Sequence, residues 1–526
     1  MRITNKIIQN NNLANINTNK IYQDILSTQM STQKKINKPS DDPVVAIRAL
    51  RLRSNVTEVT QYYSKNIPDA ESWLDITEDS LNNLTSIITD MISQCTKGAN
   101  GEWTAEDRNI ILEQLEALAD EVYTTGDADY AGRYVFTGYR TDTPLRYAQE
   151  QELRYSITEQ LDKTAIDTMT VINTEAAGGD DLKDLTEANY KDINVTAVDV
   201  TATDVHRIRL AYNNCSEEAP TLSYPVVTKA ADGTLTQEWK NIETRIVHDY
   251  EEPSPAEAVQ EASEAGEEVA IFIPETGELY LSDKAYDTLM NLKDDATTEM
   301  YDEGEIRVTY EKVDWVIGDL RPEHYFACTS YPKDGEPIGY NTSYLEGIKE
   351  RQDIEYDVGF NQTIRVNSTA DQCFDHGIGR TVDDLIQALK DVTDMQKTMD
   401  GLTELKEKVT EEDLPKLESK LETVTKAFDL LKDKAQRMFE SGITSFQGYL
   451  NDANLCITEC GTRSSKLALI ESRMQNQKTT FETLKSSNED IDITDVAIQL
   501  SSAQLTYEAA LMATGKVSQN TLLQYI

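Results

Sequence analysis

Side chains that commonly carry catalysis or bind metals are few in this chain. The histidines are His206, His248, His324 and His376, and the cysteines are Cys95, Cys215, Cys328, Cys373, Cys456 and Cys460. No two cysteines form a CxxC pair, and none stands at metal-ligand spacing from a histidine. The sequence therefore predicts neither a metal site nor a disulfide framework.

Cys456 and Cys460 need separate treatment because they stand one helical turn apart. Two thiolates on one helix face could begin a metal site, but such a site needs further ligands, and no histidine or second cysteine pair lies nearby. The alternative is a pair of buried thiols, and the missing ligands favour it.

Carboxylates are abundant enough that acid-base chemistry has to be considered. A glycosidase uses two carboxylates at a fixed separation, and that separation is invisible in a sequence with 93 acidic residues. HExxH, GxSxG and P-loop motifs are all missing from the sequence. We therefore expect a protein that is not an enzyme and needs no cofactor.

The charge balance limits the partners. The 526 residues include 93 acidic and 50 basic side chains, a formal net charge of -43, which repels phosphate backbones and anionic lipid surfaces. We expect no nucleic acid partner and no membrane partner. No apolar run approaches the roughly 20 residues of a membrane span, and the asparagine-rich start does not resemble a cleavable signal. These features favour a cytosolic protein unless another export route recognises the terminus.

Long helices are predicted before the middle of the chain. Apolar residues recur at steps of three and four at Val56, Val59, Tyr63, Ile67, Ala70, Leu74, Thr77, Leu81, Leu84, Ile88, Met91 and Cys95. Pro68 lacks a backbone donor, so we expect a bend near Asn66 or two helices that share one seam. A second helix from Ala105 to about Tyr123, ended by Gly126, completes an antiparallel hairpin.

The middle of the chain, about residues 145–379, mostly loses the helical period. EVAIFIPETGELYLSD predicts a hairpin that turns at Pro274 to Gly277, and DIEYDVGFNQTIRVN predicts a second one that turns at Asn361. Some helix is expected from Asp283 to Asp294. This region is interpreted as a β-rich insertion of one or two subdomains.

Helical periodicity returns at Val382 and continues to the end of the chain. From Ile493 onward a narrow apolar seam follows one side of the predicted helix. The residues predicted to carry assembly there are Ile493, Val496, Leu500, Ala503, Tyr507, Leu511 and Val517. Helices before the insertion can bury their stripes only against helices after it, or against another copy.

The predicted fold class is α+β, with a long antiparallel helical bundle or coiled coil formed by both chain ends around a central β-rich insertion. The predicted domains are two parts of a terminal helical domain (1–45 and 491–526), two parts of a helical rod (46–147 and 382–490) and a surface-exposed insertion (148–381).

Two long stretches near the chain ends resemble bacterial flagellins and hook-associated proteins. At the amino end these are KINKPSDDPVVAIRALRLRSNVTEV and NIPDAESWLDITEDSLNNL, in which Ser40, Asp41, Asp42 and Pro43 match the SDDP element of that family. At the carboxyl end they are ECGTRSSKLALIESR and the stretch from SSNEDIDITDVAIQL to the last residue. The family's order of motifs is kept.

Within the family, DADYAGRYVFTGYRTDTPLRY resembles members at the hook-filament junction more than filament flagellins. Gly132, Phe136, Gly138 and Pro144 carry this match. The resemblance implies a structural subunit that assembles with itself, with a neighbouring hook-associated protein, and with hook or filament subunits. A filament flagellin with a large surface-exposed insertion is the alternative, and a generic coiled-coil adhesin is a third class that the matched ends argue against.

The resemblance also implies an extracellular location on the bacterial flagellum. Members are exported by the flagellar type III apparatus without a cleaved signal peptide, and an export chaperone covers the carboxyl-terminal helix. An uncleaved, asparagine-rich start is compatible with that route.

Two further expectations concern the chain ends. A helix with a narrow seam is marginal alone in water, so we expect the ends to be disordered in a free subunit and to fold on assembly. The amino-terminal partner stripe is predicted to be Ile3, Ile7, Leu13, Ile16, Ile21 and Ile25. In the SDDP element, Ser40 or Asp41 is predicted to cap the following helix, with Pro43 in its first turn and Asp42 favourable to its dipole. The family places this corner at subunit contacts.

Overall fold

The protein is described by a computed structural model covering residues 5–100, 104–175, 180–229, 235–250, 253–292, 306–333, 335–346 and 352–519. The helices are α1 (Asn5–Thr32), α2 (Pro43–Gln61), α3 (Ile67–Ala99), α4 (Ala105–Gly126), α5 (Pro255–Glu264), α6 (Asp283–Met290), α7 (Ala370–Cys373), α8 (Gly377–Leu405), α9 (Leu414–Glu489) and α10 (Ile493–Gln519). The strands are β1 (Asp129–Tyr130), β2 (Arg133–Tyr134), β3 (Gln151–Leu161), β4 (Ile166–Asn173), β5 (Thr201–Arg209), β6 (Thr221–Lys229), β7 (Leu235–Ile246), β8 (Val269–Ile273), β9 (Glu278–Leu281), β10 (Ile306–Trp315), β11 (Ala327–Tyr331), β12 (Ile338–Tyr340), β13 (Glu355–Gly359) and β14 (Gln362–Arg365). Long helices at both ends and strands between them confirm the predicted α+β class.

The chain divides into two compact units. The terminal unit comprises Met1–Glu71, Tyr356–Ile364 and Ser464–Ile526, and the central unit comprises Ser72–Glu355 and Arg365–Arg463. Within the part of the chain that the structure describes, no helix is both long enough and apolar enough to cross a bilayer.

In the terminal unit, the two chain ends pair as antiparallel helices. The Tyr22 hydroxyl of α1 donates to the Gln499 side chain of α10 at 3.2 Å. Eleven residues after Tyr22, the Gln33 carbonyl accepts a hydrogen bond of 3.2 Å from the Ile491 amide. Since residue numbers rise in one helix and fall in the other, the pair is antiparallel, as the sequence predicted.

Pro68 follows a wider helical turn, at the place where the sequence predicted a bend near Asn66 or two helices sharing one seam. Residues Tyr62–Asn66 form a π-helix between α2 and α3, and the Ile67 amide donates to the Tyr62 carbonyl five residues back. Pro68 is then the second residue of α3. A proline fits the first turn of a helix because its missing amide needs no partner there.

The central unit contains a ten-stranded sheet in the order β12-β11-β3-β10-β6-β7-β8-β9-β5-β4. Neighbouring strands are antiparallel except for β7 and β8, which are parallel and joined through α5. The sequence predicted an insertion of one or two subdomains. In the structure, all the strands from β3 to β12 join in this one sheet. The predicted β8–β9 hairpin is confirmed, with Ile273 paired to Glu278.

Helices α8 and α9 share one apolar core with an irregular segment, residues 182–200. The buried members are Leu182, Leu185, Tyr190, Ile193, Val195, Val200, Ala388, Val392, Met395, Leu402, Leu417, Val424, Ala427, Leu431 and Ala435. Although this segment lies in the predicted β-rich insertion, it packs on the helices rather than in the sheet. Its side chains cover the apolar faces of α8 and α9 that would otherwise meet water.

Other helix contacts in the central unit confirm that the amino-terminal helices pack against the carboxyl-terminal ones. The Cys460 thiol of α9 donates to the Leu74 carbonyl of α3 at 3.5 Å, so the buried-thiol interpretation of Cys460 is supported. Helix α4 packs against α8. There the Gly379 amide donates to the Tyr123 hydroxyl at 2.9 Å.

Candidate assembly surfaces

The SDDP corner is a capped turn that starts α2. Asp42 is the N-cap residue, and its side chain accepts hydrogen bonds from the amides of Val44 (3.0 Å) and Val45 (3.1 Å). Pro43 is the first helical residue. The prediction that Ser40 or Asp41 caps this helix is therefore wrong: the carboxylate next to the proline is the one that reaches the free amides.

Asp41 stabilises the turn before the helix instead. Its carboxylate accepts hydrogen bonds from the amides of Lys38 at 2.9 Å and Asn37 at 3.2 Å. The hydrogen bond from the Lys38 amide, followed by the one from the Asn37 amide, lowers the pKa of the Asp41 carboxyl. Ser40 is exposed in this turn.

A buried carboxylate at the end of α9 binds both α2 and the segment that follows α1. The Glu489 side chain, 3% exposed, accepts two hydrogen bonds of 2.7 Å from the Arg53 guanidinium. The Lys34 ammonium lies 3.6 Å from the same carboxylate and also pairs with Asp490. The hydrogen bond from Arg53 lowers the pKa of Glu489. Such bidentate pairs hold both partners in one orientation.

The carboxyl-terminal seam is mostly used within the chain. Val496 and Ala503 of α10 are buried with Leu26 of α1, and Leu500 packs partly against the same cluster. Tyr507 is half-buried. Ile493 and Leu511 remain 49% and 45% exposed. The side chain of Val517 lies outside the described residues.

The amino-terminal partner stripe is largely corrected by the structure. Ile16 is buried as predicted, whereas Ile7, Leu13, Ile21 and Ile25 are exposed, and Ile3 lies outside the described residues. The residues of α1 that meet α10 are Leu26 and Met30. The prediction missed them because the polar positions around them hide any regular apolar period.

A second face of α10 is apolar and open to solvent. Ile498, Leu505 and Met512 are 64%, 68% and 68% exposed. Their seven-residue spacing places them above one another on one side of the helix. This surface, named here the outer stripe, was not predicted, although its heptad spacing was legible in the sequence.

Gly132 and Gly138, which carry part of the family resemblance, lie in and just after a tight turn of the central unit. Ala131 and Gly132 have φ angles of 53° and 77° between the short strands β1 and β2. Two residues with positive φ are typical of a type I′ hairpin turn. A Cβ on Gly132 would meet nothing within 4 Å, so its backbone conformation is the reason for a glycine there. Gly138, with φ of 62°, instead lies directly against the Gln352 side chain.

Phe136 and Pro144 lie inside the central unit rather than on a contact surface. The Phe136 ring is fully buried and meets the Phe374 ring edge-on, with centroids 4.8 Å apart. Its carbonyl accepts a 2.8 Å hydrogen bond from the Ala370 amide. The half-buried Pro144 offers its carbonyl to His324, 3.2 Å away. These contacts attach the turn to the rest of the unit.

The tip of the β13–β14 hairpin packs inside the terminal unit, which the sequence did not indicate. The Phe360 ring meets Tyr62 of the π-helix and Phe481 of α9 edge-on, at centroid distances of 5.7 and 6.4 Å. The Asn66 side chain donates to the Asp357 carbonyl at 2.8 Å. The hairpin thus covers the segment where the π-helix widens the backbone.

The comparisons with known proteins show similarity over the amino-terminal part of the chain. Residues 3–141 match the bacterial flagellin N-terminal helical region. That match includes the SDDP corner and the turn through Gly138 but not Pro144. The amino-terminal part of the chain is therefore similar to the helical region of flagellins, as its motifs predicted.

Individual proteins similar to this chain include a hook-associated protein and a flagellin. Flagellar hook-associated protein 3 of Salmonella typhimurium is 28% identical over 143 residues, which cover 27% of this chain and 45% of that protein. A flagellin of Clostridium tyrobutyricum is 27% identical over 122 residues, or 23% of this chain and 32% of the relative. The similarity to hook-associated protein 3 predicted from the sequence is thus confirmed, over less than half of that relative's length.

A crystal structure of hook-associated protein 3 from Legionella pneumophila also aligns with this chain. The alignment covers 83% of this chain and 97% of that one, with 11% identity and a TM-score of 0.28.

Proposed function

We propose that this chain is a structural subunit of the bacterial flagellum, a hook-associated protein at the hook-filament junction. The observation that carries the proposal is the terminal unit, in which paired chain ends bury few side chains and leave the outer stripe of α10 exposed. The flagellin-type helical region at residues 3–141 gives the surface its context. Function is structural, without catalysis.

Assembly uses the surfaces that pairing leaves free. The outer stripe of α10 meets a different patch on a neighbouring copy, because a contact between two unlike patches extends into a ring or helix. The exposed apolar residues Val44, Ile47 and Leu50 of α2, next to the SDDP corner, are the patch we assign. Since both patches lie in the terminal unit, the central unit can vary without loss of assembly.

The same proposal assigns the remaining partners and gives each domain a role. The subunit contacts a second hook-associated protein on one side and hook or filament subunits on the other. Residues 1–45 and 491–526 act as the inner tube, 46–147 and 382–490 as the rod, and 148–381 as the outward surface. Export by the flagellar type III apparatus occurs without signal cleavage, and a chaperone covers α10 until assembly. The turn at Gly132, Phe136, Gly138 and Pro144 holds the rod to the insertion.

A filament flagellin is the second candidate, supported by the match to the clostridial flagellin. The two candidates share the terminal helices and differ in where the subunit is found and in how many copies are present. Position on the flagellum therefore separates them.

The experiment is immunogold electron microscopy of isolated flagella with an antibody against residues 148–381. Label in a narrow band between hook and filament is the expected result. Label along the whole filament would identify a flagellin. Flagella with intact junctions and no label would contradict both assignments.

A further inference from the structure

A cleft of about 380 Å³ lies beside β4 in the central unit. Its volume is within the range of about 300–1,000 Å³ that is typical of ligand sites. One wall is β4, and the opposite wall is a stretch of α9 that includes Lys434, Arg437, Ser441 and Ser445. The proposed assembly function uses none of these residues.

The strand wall shows that the cleft follows an edge of the sheet. Four consecutive residues, Asp167 to Thr170, line it. Successive side chains of a strand point to opposite faces, so a cavity touched by four in a row runs along the strand's edge rather than over one face. In the sheet order β4 is the last strand.

The backbone of β4 is unpaired on this side in the described part of the chain. Each of its residues is in register with β5, from Ile166 opposite Ile208 to Asn173 opposite Thr201. Apart from the Ile166 amide, which donates to the Lys163 carbonyl, no described group outside β5 forms a backbone hydrogen bond to these residues. An edge strand of this kind offers alternate N–H and C=O groups to an incoming strand.

The base of the cleft is a set of charges that already satisfy one another. The Arg207 guanidinium donates to Asp167 at 2.9 Å and to Asp384 at 2.8 Å, and Arg209 also pairs with Asp384. Burial alone would raise the pKa of Asp384, but the charges of Arg207 and Arg209 outweigh burial and lower it. Asp204, the remaining acid in the lining, accepts a 2.7 Å hydrogen bond from Thr170. Arg207 also donates to the buried Glu278 carboxylate, so the charges of the base are paired with one another.

The two cations on the helix wall, Lys434 and Arg437, differ from the charges of the base in their partners. Neither Lys434 nor Arg437 forms an ion pair with any described carboxylate, although the chain carries a net charge of -43. Burial lowers the pKa of the Lys434 ammonium, and the charge of Asp391 on α8 opposes that shift without cancelling it. A further carboxylate would therefore stabilise the charged form of Lys434. At a separation of three residues the two side chains share one helix face, about 5–6 Å apart.

We propose that this cleft binds an extended acidic peptide segment of a partner protein as an added strand on β4. The peptide backbone bonds to the free edge, and carboxylates at alternate positions meet Lys434 and Arg437. Alternate residues of a strand project to the same side about 6.6 Å apart, which matches the spacing of the two cations. Ser441 and Ser445 supply hydroxyls further along the same wall. A small anion would satisfy the cations but leave the edge backbone unpaired.

Fluorescence anisotropy on the full chain tests the proposal with a labelled peptide, acetyl-Thr-Glu-Val-Glu-Val-Glu-Thr-amide. The double variant Lys434→Gln/Arg437→Gln is expected to weaken binding about tenfold. The matched control Lys408→Gln/Lys416→Gln removes two exposed lysines outside the cleft lining and is expected to bind as the parent does. Equal weakening in both variants would overturn the site, because it would reveal only a general charge effect.

A second measurement keeps the parent protein and alters the peptide, so the result does not depend on how the variants fold. N-methylation of alternate amides on the β4-facing side removes backbone donors and should abolish binding. Unchanged affinity of the N-methylated peptide would contradict strand addition. Full competition by millimolar inorganic phosphate would also overturn the proposal, in favour of a small-anion site.

Discussion

The α1–α10 pair and the α8–α9 core obtain their stability in different ways. The core shared by α8, α9 and residues 182–200 contains fifteen buried apolar side chains. Among the described residues, the cluster between α1 and α10 contains three, namely Leu26, Val496 and Ala503. Because most helical stability in water comes from packing, we expect the core to stand without a partner and the terminal pair to depend on contacts from outside. A subunit built in this way can be stable at its centre and still polymerise through its ends.

The largest effect is expected from a cavity in the central unit. The fully buried Phe439 ring of α9 packs against Gly98 of α3. Phe439→Ala should lower the free energy of unfolding by about 3–5 kcal/mol, measured by chemical denaturation. The control Leu455→Ala, on the same helix but 60% exposed, should change it by less than about 0.5 kcal/mol. Equal losses in the two variants would erase the contrast between the regions.

Hydrogen exchange on the free subunit should expose the same contrast without mutation. Amides of Ala497 to Leu511 in α10 should open at free energies at least about 2 kcal/mol below those of α8, because few buried contacts hold α10 in place. The measurement is native-state exchange followed by mass spectrometry. Protection of α10 equal to that of α8 would show that the pair is self-sufficient and would remove the expectation that the ends fold on assembly.

Substitutions on the two faces of α10 separate pairing from assembly. Leu500→Asp should abolish incorporation into flagella and speed exchange in α10, while the melting midpoint of the free subunit, set by the central unit, changes by less than about 2 °C. Ile498→Asp on the outer stripe should abolish incorporation with exchange in α10 unchanged. Incorporation is measured by complementation and microscopy. If the Ile498 variant assembles normally, the outer stripe is not a subunit contact.

The smallest effect is the pH dependence of the terminal unit. The pKa of Glu489 is lowered by Arg53 from an ordinary value of 4.5, so the stabilisation is fully present above that value and is lost as pH falls through the lowered pKa. Because Arg53 is about half exposed, the contribution should not exceed about 1 kcal/mol. Exchange of amides near Lys35 at pH 7 and pH 3 measures it. Glu489→Gln should flatten this dependence, and an unchanged profile in that variant would assign it to another group.

Local signals in the sequence predicted the individual elements well. Helix α4 begins at Ala105 as predicted, because Thr104 and Asp107 form a capping box that is specified within four residues. Both predicted hairpins are present, because glycine and asparagine with positive φ mark their turns. The SDDP corner was found as a motif, but the choice of Asp42 over Ser40 or Asp41 as the cap depended on side-chain geometry.

The sequence did not indicate which surfaces, far apart along the chain, pack against each other. The heptad pattern of α10 indicated an apolar seam, yet only the paired structure decided that Val496 and Ala503 are buried within the chain and that Ile498 and Leu505 are exposed. The cleft beside β4 was invisible, because Asp167, Arg207 and Lys434 are far apart in sequence and meet only when the sheet and α9 pack.

By itself, therefore, the sequence determined the long helices at both ends, the turns of two hairpins and the family that the amino-terminal region resembles, since these depend on residues a few positions apart. Tertiary structure decided the strand order that leaves β4 at an edge, the π-helical turn before Pro68 and the face of α10 that stays in contact with water. Those outcomes depend on which distant surfaces compete for burial, and a linear pattern does not contain that competition.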